Sequence, residues 1–173
     1  MIEESVFVFR LSKVEDISRI WEILQEAIAL RAAQGSQQWQ DGYPNRNVVE
    51  QDIANAYGYV VEKDGLIIAY VAVIADGDPA YEAIDGAWMS NDPYLVIHRV
   101  AVTQSPYHKG VASIILREVE GVALASGIRS VRFDTNYDNA AMLHLAKKFD
   151  YVYCGKVLMR GGERLAFEKA VAI

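Results

Sequence analysis

The sequence IHRVAV at residues 97–102 continues through a polar turn, QSPYHKGVA at residues 104–112, into a long amphipathic segment. The apolar residues predict a strand, and the apolar spacing after Gly110 predicts a helix. A glycine at such a turn lets another molecule approach the backbone closely. The first N–H groups of a helix have no partners within it, so this turn predicts an anion site of the kind that holds phosphate.

A second strand and helix follow, at Ser130–Asp134 and after Asp138-Asn139. The helix between the two strands is long enough to return the chain, which predicts a parallel pair. The apolar stripe of that helix, Val111, Ile115, Val119 and Val122, is interpreted as core, and Gly127 as the helix end.

The N-terminal half contains further strand and helix signals. Val6–Leu11 predicts a strand, and Ser12 with Glu15 predicts a capping box for a helix that ends near Gly35. Asn47 with Glu50 predicts the start of a second helix, which continues through Ala56.

Two hairpins complete the pattern. Asp64-Gly65 lies between the predicted strands Gly58–Lys63 and Leu66–Ile74, and both positions of such a turn need positive φ. After the polar segment Asp76–Pro93 comes the strand Tyr94–Val102. The C-terminal hairpin is predicted from Tyr151–Met159, Gly161-Gly162 and Arg164–Ala170.

The element order is therefore β-α-α-β-β-β-α-β-α-β-β. It predicts an α/β fold with a mixed central sheet and helices on both faces. Neither repeats nor linkers interrupt the chain, so we expect one domain over residues 1–173.

The composition favours a soluble, cytoplasmic globular protein. The chain is 52% hydrophobic and its net charge is -6, which argues against nucleic acid as a partner. No apolar run approaches a membrane span of about 20 residues, so no membrane partner is expected. The acidic start Met1-Ile2-Glu3-Glu4 does not resemble a signal peptide. Cys154 is the single cysteine, which excludes an internal disulfide.

With these elements in place, the chain resembles the GNAT superfamily of N-acetyltransferases over essentially its whole length. The family's acetyl-CoA loop reads Arg/Gln-x-x-Gly-x-Gly/Ala, and here it is Tyr107-His108-Lys109-Gly110-Val111-Ala112, with Tyr107 departing from the pattern. The second family motif, Asn-x-x-(Ala/Met) followed by Lys-x-Gly-Phe, corresponds to Asn139-Ala140-Ala141-Met142 and Lys148-Phe149-Asp150-Tyr151. Asp150 and Tyr151 depart from that motif.

The resemblance implies that acetyl-CoA is the acetyl donor. The pantetheine arm would pair with the backbone of a strand edge, as a peptide does, and the pyrophosphate would lie on the N–H groups of the loop. The donor-binding residues implied in this way are Val100, Ala101, Val102, His108, Lys109, Gly110, Val111, Ala112, Ser113 and Asn139. An alternative for Asn139 is that it is simply the first residue of a helix that Asp138 caps.

His98 and Asp134 are the candidate catalytic residues. Many relatives carry an acidic residue at the position of His98 that acts as general base or holds a water chain, and a histidine can also accept a proton near neutral pH. A buried, hydrogen-bonded structural histidine is the alternative. Asp134 ends a strand that is predicted to be parallel, where ligands of α/β sheets commonly bind. Three roles for Asp134 stay open: binding a substrate amine, orienting Asn139 and Tyr137, or capping the next turn.

Two aromatic residues of an irregular segment, Trp39 and Tyr43, are interpreted as walls of the acceptor pocket, with satellite core as the alternative. Many relatives use a tyrosine as the acid that protonates the leaving thiolate. The corresponding residue here is Ala146, so the candidates are Tyr94, Tyr107 and Tyr137, or no dedicated acid.

The predicted function is acetyl transfer from acetyl-CoA to a primary amine of a small molecule or peptide by direct attack. No metal is expected, because the three histidines have no ligand spacing. Whether the protein is a monomer or a homodimer is left open. The alternatives are a non-catalytic acyl-CoA-binding module and a nucleotide-binding domain. The latter is disfavoured because Gly110-Val111-Ala112-Ser113 lacks the ending of a P-loop.

Overall fold

The computed structural model describes residues 5–160 and 162–172, so the predicted features at Met1–Glu4 and Gly161 lie outside the described residues. The strands are β1 (Phe7–Leu11), β2 (Gly58–Lys63), β3 (Leu66–Ile74), β4 (Asp85–Gly86), β5 (Leu95–Val102), β6 (Ser130–Thr135), β7 (Val152–Met159) and β8 (Gly162–Ala170). The helices are α1 (Ile17–Ala33), α2 (Arg46–Ala54), α3 (Pro79–Glu82), α4 (Val111–Ala125) and α5 (Ala140–Lys148).

These elements belong to two compact units. The first comprises the chain up to Ala72 together with Arg99–Ile115, and the second comprises Val73–His98 and the chain from Leu116 onward. Strand neighbours in the first unit follow the order β1-β2-β3-β5, and those in the second follow β5-β6-β8-β7-β4. Because β5 and β6 are parallel while the other registered pairs are antiparallel, the predicted mixed α/β fold is confirmed.

The predicted helix caps of the first unit are wrong by one or two residues. Lys13, rather than Ser12, begins the turn before α1, because its N–H donates to the carboxylate of Asp16 over 2.9 Å. The hydroxyl of Ser12 instead donates to the carbonyl of Gly58. Asn45, rather than Asn47, caps α2 by accepting the N–H of Val48. At α2 both Asn45 and Asn47 are good capping residues, and the sequence pattern does not distinguish between them. At α1 Lys13 takes part through its backbone N–H, which capping preferences do not predict.

The β2–β3 hairpin forms at Asp64-Gly65 as predicted. Both residues have positive φ, 50° and 81°, which is the backbone that the turn requires. The core of this unit is a cluster of buried apolar side chains from α1, α2, β2, β3 and β5: Ile20, Ile23, Leu24, Val49, Val60, Tyr70 and Ala101.

The second unit contains two short elements that the sequence did not indicate, α3 and β4, both within the polar segment 76–93. Asp78 begins α3, since its side chain accepts the N–H of Ala80 and Pro79 follows it. The core of the unit is the cluster Tyr81, Val96, Val157 and Ala166. Within α4 the predicted stripe is confirmed, with Val111, Ile115 and Val119 buried. No helix in the described part of the chain is long and apolar enough to cross a membrane.

Candidate active site

Strand β5 contains a backbone irregularity in its centre. Arg99 has a φ of 57°, which is uncommon for any residue with a side chain and more so within a strand. The register with β6 covers Leu95–Ile97, the residues before this point. The extended backbone of the strand is therefore interrupted at Arg99.

A buried ion pair holds Arg99 in this conformation. Its Nε and Nη2 donate to the two carboxylate oxygens of Asp52 on α2, over 2.9 and 2.6 Å. Its Nη1 donates to the hydroxyl of Tyr43. The Tyr70 hydroxyl donates to Asp52, and burial, then the Asp52 charge, raise the pKa of Tyr70 so that it keeps its proton. Such a bidentate pair fixes the guanidinium, and with it the backbone of Arg99.

The loop after β5 has the features expected of an anion site. Gly110 has a φ of 84°, and a Cβ added there would meet nothing within 4 Å, so the space beside it is open. The first helical bond of α4 runs from Ile114 N–H to the carbonyl of Gly110. The N–H groups of Val111 and Ala112 come before that bond, at the positive end of a helix of 15 residues. Lys109 is exposed and His108 is half-buried.

The other residues predicted to bind acetyl-CoA lie on β5, before this loop, and on α4, after it. Val100 and Val102 are half-buried on β5, whereas Ala101 packs in the core of the first unit. Ser113 is buried on the first turn of α4. The loop combines open space at Gly110 with the helix N–H groups and the positive charge of Lys109. This combination suits a pyrophosphate.

In the second unit, His98 lies between two carboxylates. Its Nε2 is 2.9 Å from an oxygen of Asp78, and its Nδ1 is 3.9 Å from an oxygen of Asp134. The three side chains are only 13%, 15% and 8% exposed, respectively. The two predicted catalytic residues are therefore neighbours, and Asp78 joins them although the sequence had not indicated it.

Tyr81 completes this group from α3. Its hydroxyl donates to Asp134 over 2.6 Å, at the same oxygen that faces His98. Burial, and secondly the Asp134 charge, raise the pKa of Tyr81 well above its ordinary value, so it remains a donor. Asp134 thus holds an ordered position beside the imidazole.

These carboxylates differ from the other buried ones in how they are neutralised. Asp16, Asp52 and Glu168 each form an ion pair with an arginine, namely Arg10, Arg99 and Arg132. Within the part of the chain that the structure describes, the ion pairs of Asp78 and Asp134 are with His98. His98 is thus the shared partner of both carboxylates.

Comparisons with known proteins identify the family of the chain. A family model described as acetyltransferase (GNAT) family matches residues 20–151. An acetyltransferase of the GNAT family from Streptococcus agalactiae is 37% identical, with a TM-score of 0.87 and 96% of each chain covered. The chain belongs to the GNAT acetyltransferase family.

More distant GNAT structures show the same fold. A GNAT acetyltransferase from Listeria monocytogenes is 15% identical, with a TM-score of 0.76, 96% of this chain and 99% of that one covered. The PaiA N-acetyltransferase from Thermoplasma acidophilum, in complex with coenzyme A, is 14% identical, with a TM-score of 0.70, 95% of this chain and 99% of that one covered. A search of curated protein sequences found no match.

The GNAT family uses acetyl-CoA as its acetyl donor. No group of three His, Cys, Asp or Glu side chains able to hold a metal occurs among residues 5–160 and 162–172. Asn139, the residue of the second GNAT motif, caps α5 itself, because its side chain accepts the N–H of Met142 over 3.3 Å. Its alternative role as a residue capped by Asp138 is therefore wrong.

The aromatic residues of the 37–46 segment of this GNAT protein have different surroundings. Trp39 is half-buried and packs against the core of the first unit, which favours satellite core for its side chain. Tyr43 is half-buried, and its hydroxyl accepts from Arg99. Their predicted role as pocket walls stays a prediction.

The structure places the position of the missing tyrosine, Ala146, in a buried site. Tyr107 and Tyr137 are exposed, whereas Tyr94 is half-buried and its hydroxyl accepts the N–H of Asp78. Sequence reasoning missed Asp78 and Tyr81. The dipeptide Asp78-Pro79, a helix-start signal, was the one available indication.

Proposed function

We propose that this protein transfers the acetyl group of acetyl-CoA to a primary amine by direct attack. The observation that carries the proposal is the pair of carboxylates with one imidazole at His98, on the same strand as Val100–Val102. An amine acceptor arrives as an ammonium ion and must lose a proton before it attacks. A negatively charged group with a neutral imidazole suits both steps.

The donor half of the proposal rests on the backbone of β5, the loop after it and the second GNAT motif. Backbone groups of Val100–Val102 pair with the pantetheine arm, and the loop from His108 to Ser113 receives the pyrophosphate. Asn139 binds the arm near the sulfur. A backbone N–H near Val100–Val102 polarises the thioester carbonyl and stabilises the oxyanion. Holding the donor in place contributes more to the rate than any single acid or base.

The acceptor half rests on the second unit. Asp134 holds the ammonium group and His98 takes its proton. The amine nitrogen then forms a bond to the carbonyl carbon, the carbon–sulfur bond breaks, and the second proton of the nitrogen passes to the departing thiolate. CoA leaves as the thiolate, which is a tolerable leaving group since a thiol pKa is about 8.5. This accounts for catalysis without a tyrosine at Ala146.

The acceptor in this proposal is a small-molecule or peptide amine, and the predicted contribution of Trp39 and Tyr43 to its pocket stays a prediction. We take residues 1–173 as one GNAT domain that acts in the cytoplasm.

An assay of released CoA thiol tests the function. The protein is mixed with acetyl-CoA and, separately, with a polyamine, amino acids, an aminoglycoside and a short peptide with a free N-terminus. We expect thiol release above the amine-free control with at least one class. Tight acetyl-CoA binding without release for any class would favour the non-catalytic acyl-CoA-binding module instead.

A further inference from the structure

The side chain of Asp78 determines which nitrogen of His98 carries a proton. An ionised carboxylate only accepts hydrogen bonds, so the Nε2 atom 2.9 Å from Asp78 must be the donor. In the neutral imidazole the other nitrogen, Nδ1, is then an acceptor.

The surroundings of Nδ1 agree with this assignment. Its distance of 3.9 Å to Asp134 is too long for a hydrogen bond, and the Asp134 oxygen on that side accepts the Tyr81 hydroxyl instead. Nδ1 therefore has a lone pair beside the carboxylate that we assign to the ammonium group.

We propose that Asp78 is a positioning residue that fixes His98 as the Nε2–H tautomer, so that Nδ1 receives the proton of the acceptor amine. The inference rests on the proposed function and names a residue that neither the sequence motifs nor the GNAT likeness had indicated. The proton moves from the amine nitrogen to Nδ1, and the resulting imidazolium lies between Asp78 and Asp134.

The placement of Asp78 is itself well determined. Its other oxygen accepts the N–H of Ala80 at the start of α3, and its own N–H donates to the Tyr94 hydroxyl over 3.4 Å. One side chain thus caps a helix and orients the imidazole. The titratable groups that face His98 in the second unit are Asp78, Asp134 and Tyr81, with Tyr94 behind Asp78.

The variant Asp78→Asn separates the two roles. Asparagine caps helices about as well as aspartate, so α3 keeps its start. Its side-chain amide, however, presents a donor to Nε2 and reverses the tautomer, which places the proton on Nδ1. Asp85→Asn is the matched control, because Asp85 is an exposed aspartate of the same segment.

We expect kcat/KM for the best amine to fall by about 10²-fold or more in Asp78→Asn, the range of general-base catalysis. Acetyl-CoA affinity and the melting temperature should stay within error of the wild type, and Asp85→Asn should match the wild type throughout. Wild-type kcat/KM in Asp78→Asn would overturn the proposal and leave the proposed function intact.

A measurement on the unaltered protein needs neither a variant nor an acceptor. Two-bond nitrogen–proton NMR spectra of the histidine rings distinguish the two tautomers. We expect the Nε2–H form for His98 at neutral to alkaline pH. The Nδ1–H form would overturn the tautomer assignment, whether or not acetyl transfer is found.

Discussion

One imidazole, that of His98, lies between two nearly buried carboxylates in the second unit. His98 therefore changes the charge of its surroundings each time it takes up or releases a proton. A structural histidine would need one fixed hydrogen-bond partner, and here a second carboxylate lies beside the other nitrogen. This asymmetry favours a role in proton transfer over a purely structural one.

The first prediction concerns the pH dependence of the reaction. With His98 as the base, kcat/KM should rise with pH, because only the unprotonated imidazole can accept the proton of the amine. His98→Ala should flatten this rise and lower the rate by about 10²-fold, and His98→Glu should retain part of the activity, since a carboxylate is also a base.

Circular dichroism and an acetyl-CoA titration must accompany both His98 variants. They separate a lost base from a lost fold. A folded, acetyl-CoA-binding His98→Ala protein with wild-type rates and an unchanged pH profile would remove His98 from the mechanism.

The second prediction separates the two possible roles of Asn139. Asn139→Ala removes a helix cap, which costs about 1 kcal/mol of stability. If Asn139 also binds the pantetheine arm, the variant should in addition lose about 0.5–1.5 kcal/mol of acetyl-CoA binding free energy, which is roughly a 2- to 10-fold loss of affinity. Asn45→Ala is the matched control, because Asn45 caps α2 through the same kind of bond. Equal acetyl-CoA affinity in the two variants would leave Asn139 only its capping role.

Single residues were the part of the site least accessible to sequence reasoning. His98 and Asp134 were chosen separately, and their proximity follows from the parallel pairing of β5 with β6. Asp78 and Tyr81 come from a polar segment without periodicity, so no pattern indicated that they face His98. The cap of α2 was misplaced because Asn45 and Asn47 have similar capping ability, and that of α1 because Lys13 takes part through its backbone N–H, which side-chain preferences do not indicate.

Among the elements, β5 and α4 carry most of the residues predicted to bind acetyl-CoA. The buried pair of Arg99 and Asp52 connects α2 to the interruption in β5. A positive φ at an arginine is costly and is kept only where the surroundings determine it. The two hydrogen bonds to Asp52 and the one to Tyr43 hold the Arg99 side chain and so stabilise this conformation.

The third prediction tests the loop between these elements. Gly110→Val should weaken acetyl-CoA binding by at least 10-fold, because a branched side chain would fill the open space and disfavour a φ of 84°. Gly127→Val is the control for backbone strain, since Gly127 has a φ of 71°, open space around it and a place at the other end of α4. Calorimetric titration of both variants measures the difference. An unchanged affinity in Gly110→Val would mean that the loop does not hold the phosphates.

Most long elements were predictable because their signals are local. Apolar periodicity identified α1 and α4, and Asp64-Gly65 identified the first hairpin. The interruption at Arg99 was not predictable. It depends on Asp52, 47 residues away in the sequence, and an arginine within an apolar stretch does not by itself indicate a buried ion pair.

At the scale of the whole molecule, the acid stability of the fold should depend on buried ion pairs. The hydrogen bond from Arg10 is the main cause that lowers the pKa of Asp16. A carboxylate with a lowered pKa in the folded protein stabilises it at pH values above the unfolded pKa, about 3.9. This contribution is lost as the pH falls through the folded pKa.

The fourth prediction follows from this loss of stability at low pH. Asp16→Asn should reduce the free energy of unfolding by about 1.5–3 kcal/mol at pH 7, and the difference from wild type should shrink below about pH 4. Urea unfolding of both proteins at several pH values measures it, with exposed Asp92→Asn as the control. A difference that stays constant down to pH 2.5 would contradict the assigned role of the Arg10–Asp16 pair.

The central claim is direct transfer from acetyl-CoA to an amine, and product analysis with labelled acetyl-CoA tests it most directly. The protein is incubated with ¹³C-acetyl-CoA, first alone and then with the best amine of the panel, and both protein and products are analysed by mass spectrometry. We expect an unmodified protein in the absence of amine. On addition of the amine, we expect one labelled amide for each CoA released. An acetylated protein that forms before the amine is added, or release of CoA without labelled amide, would contradict the account.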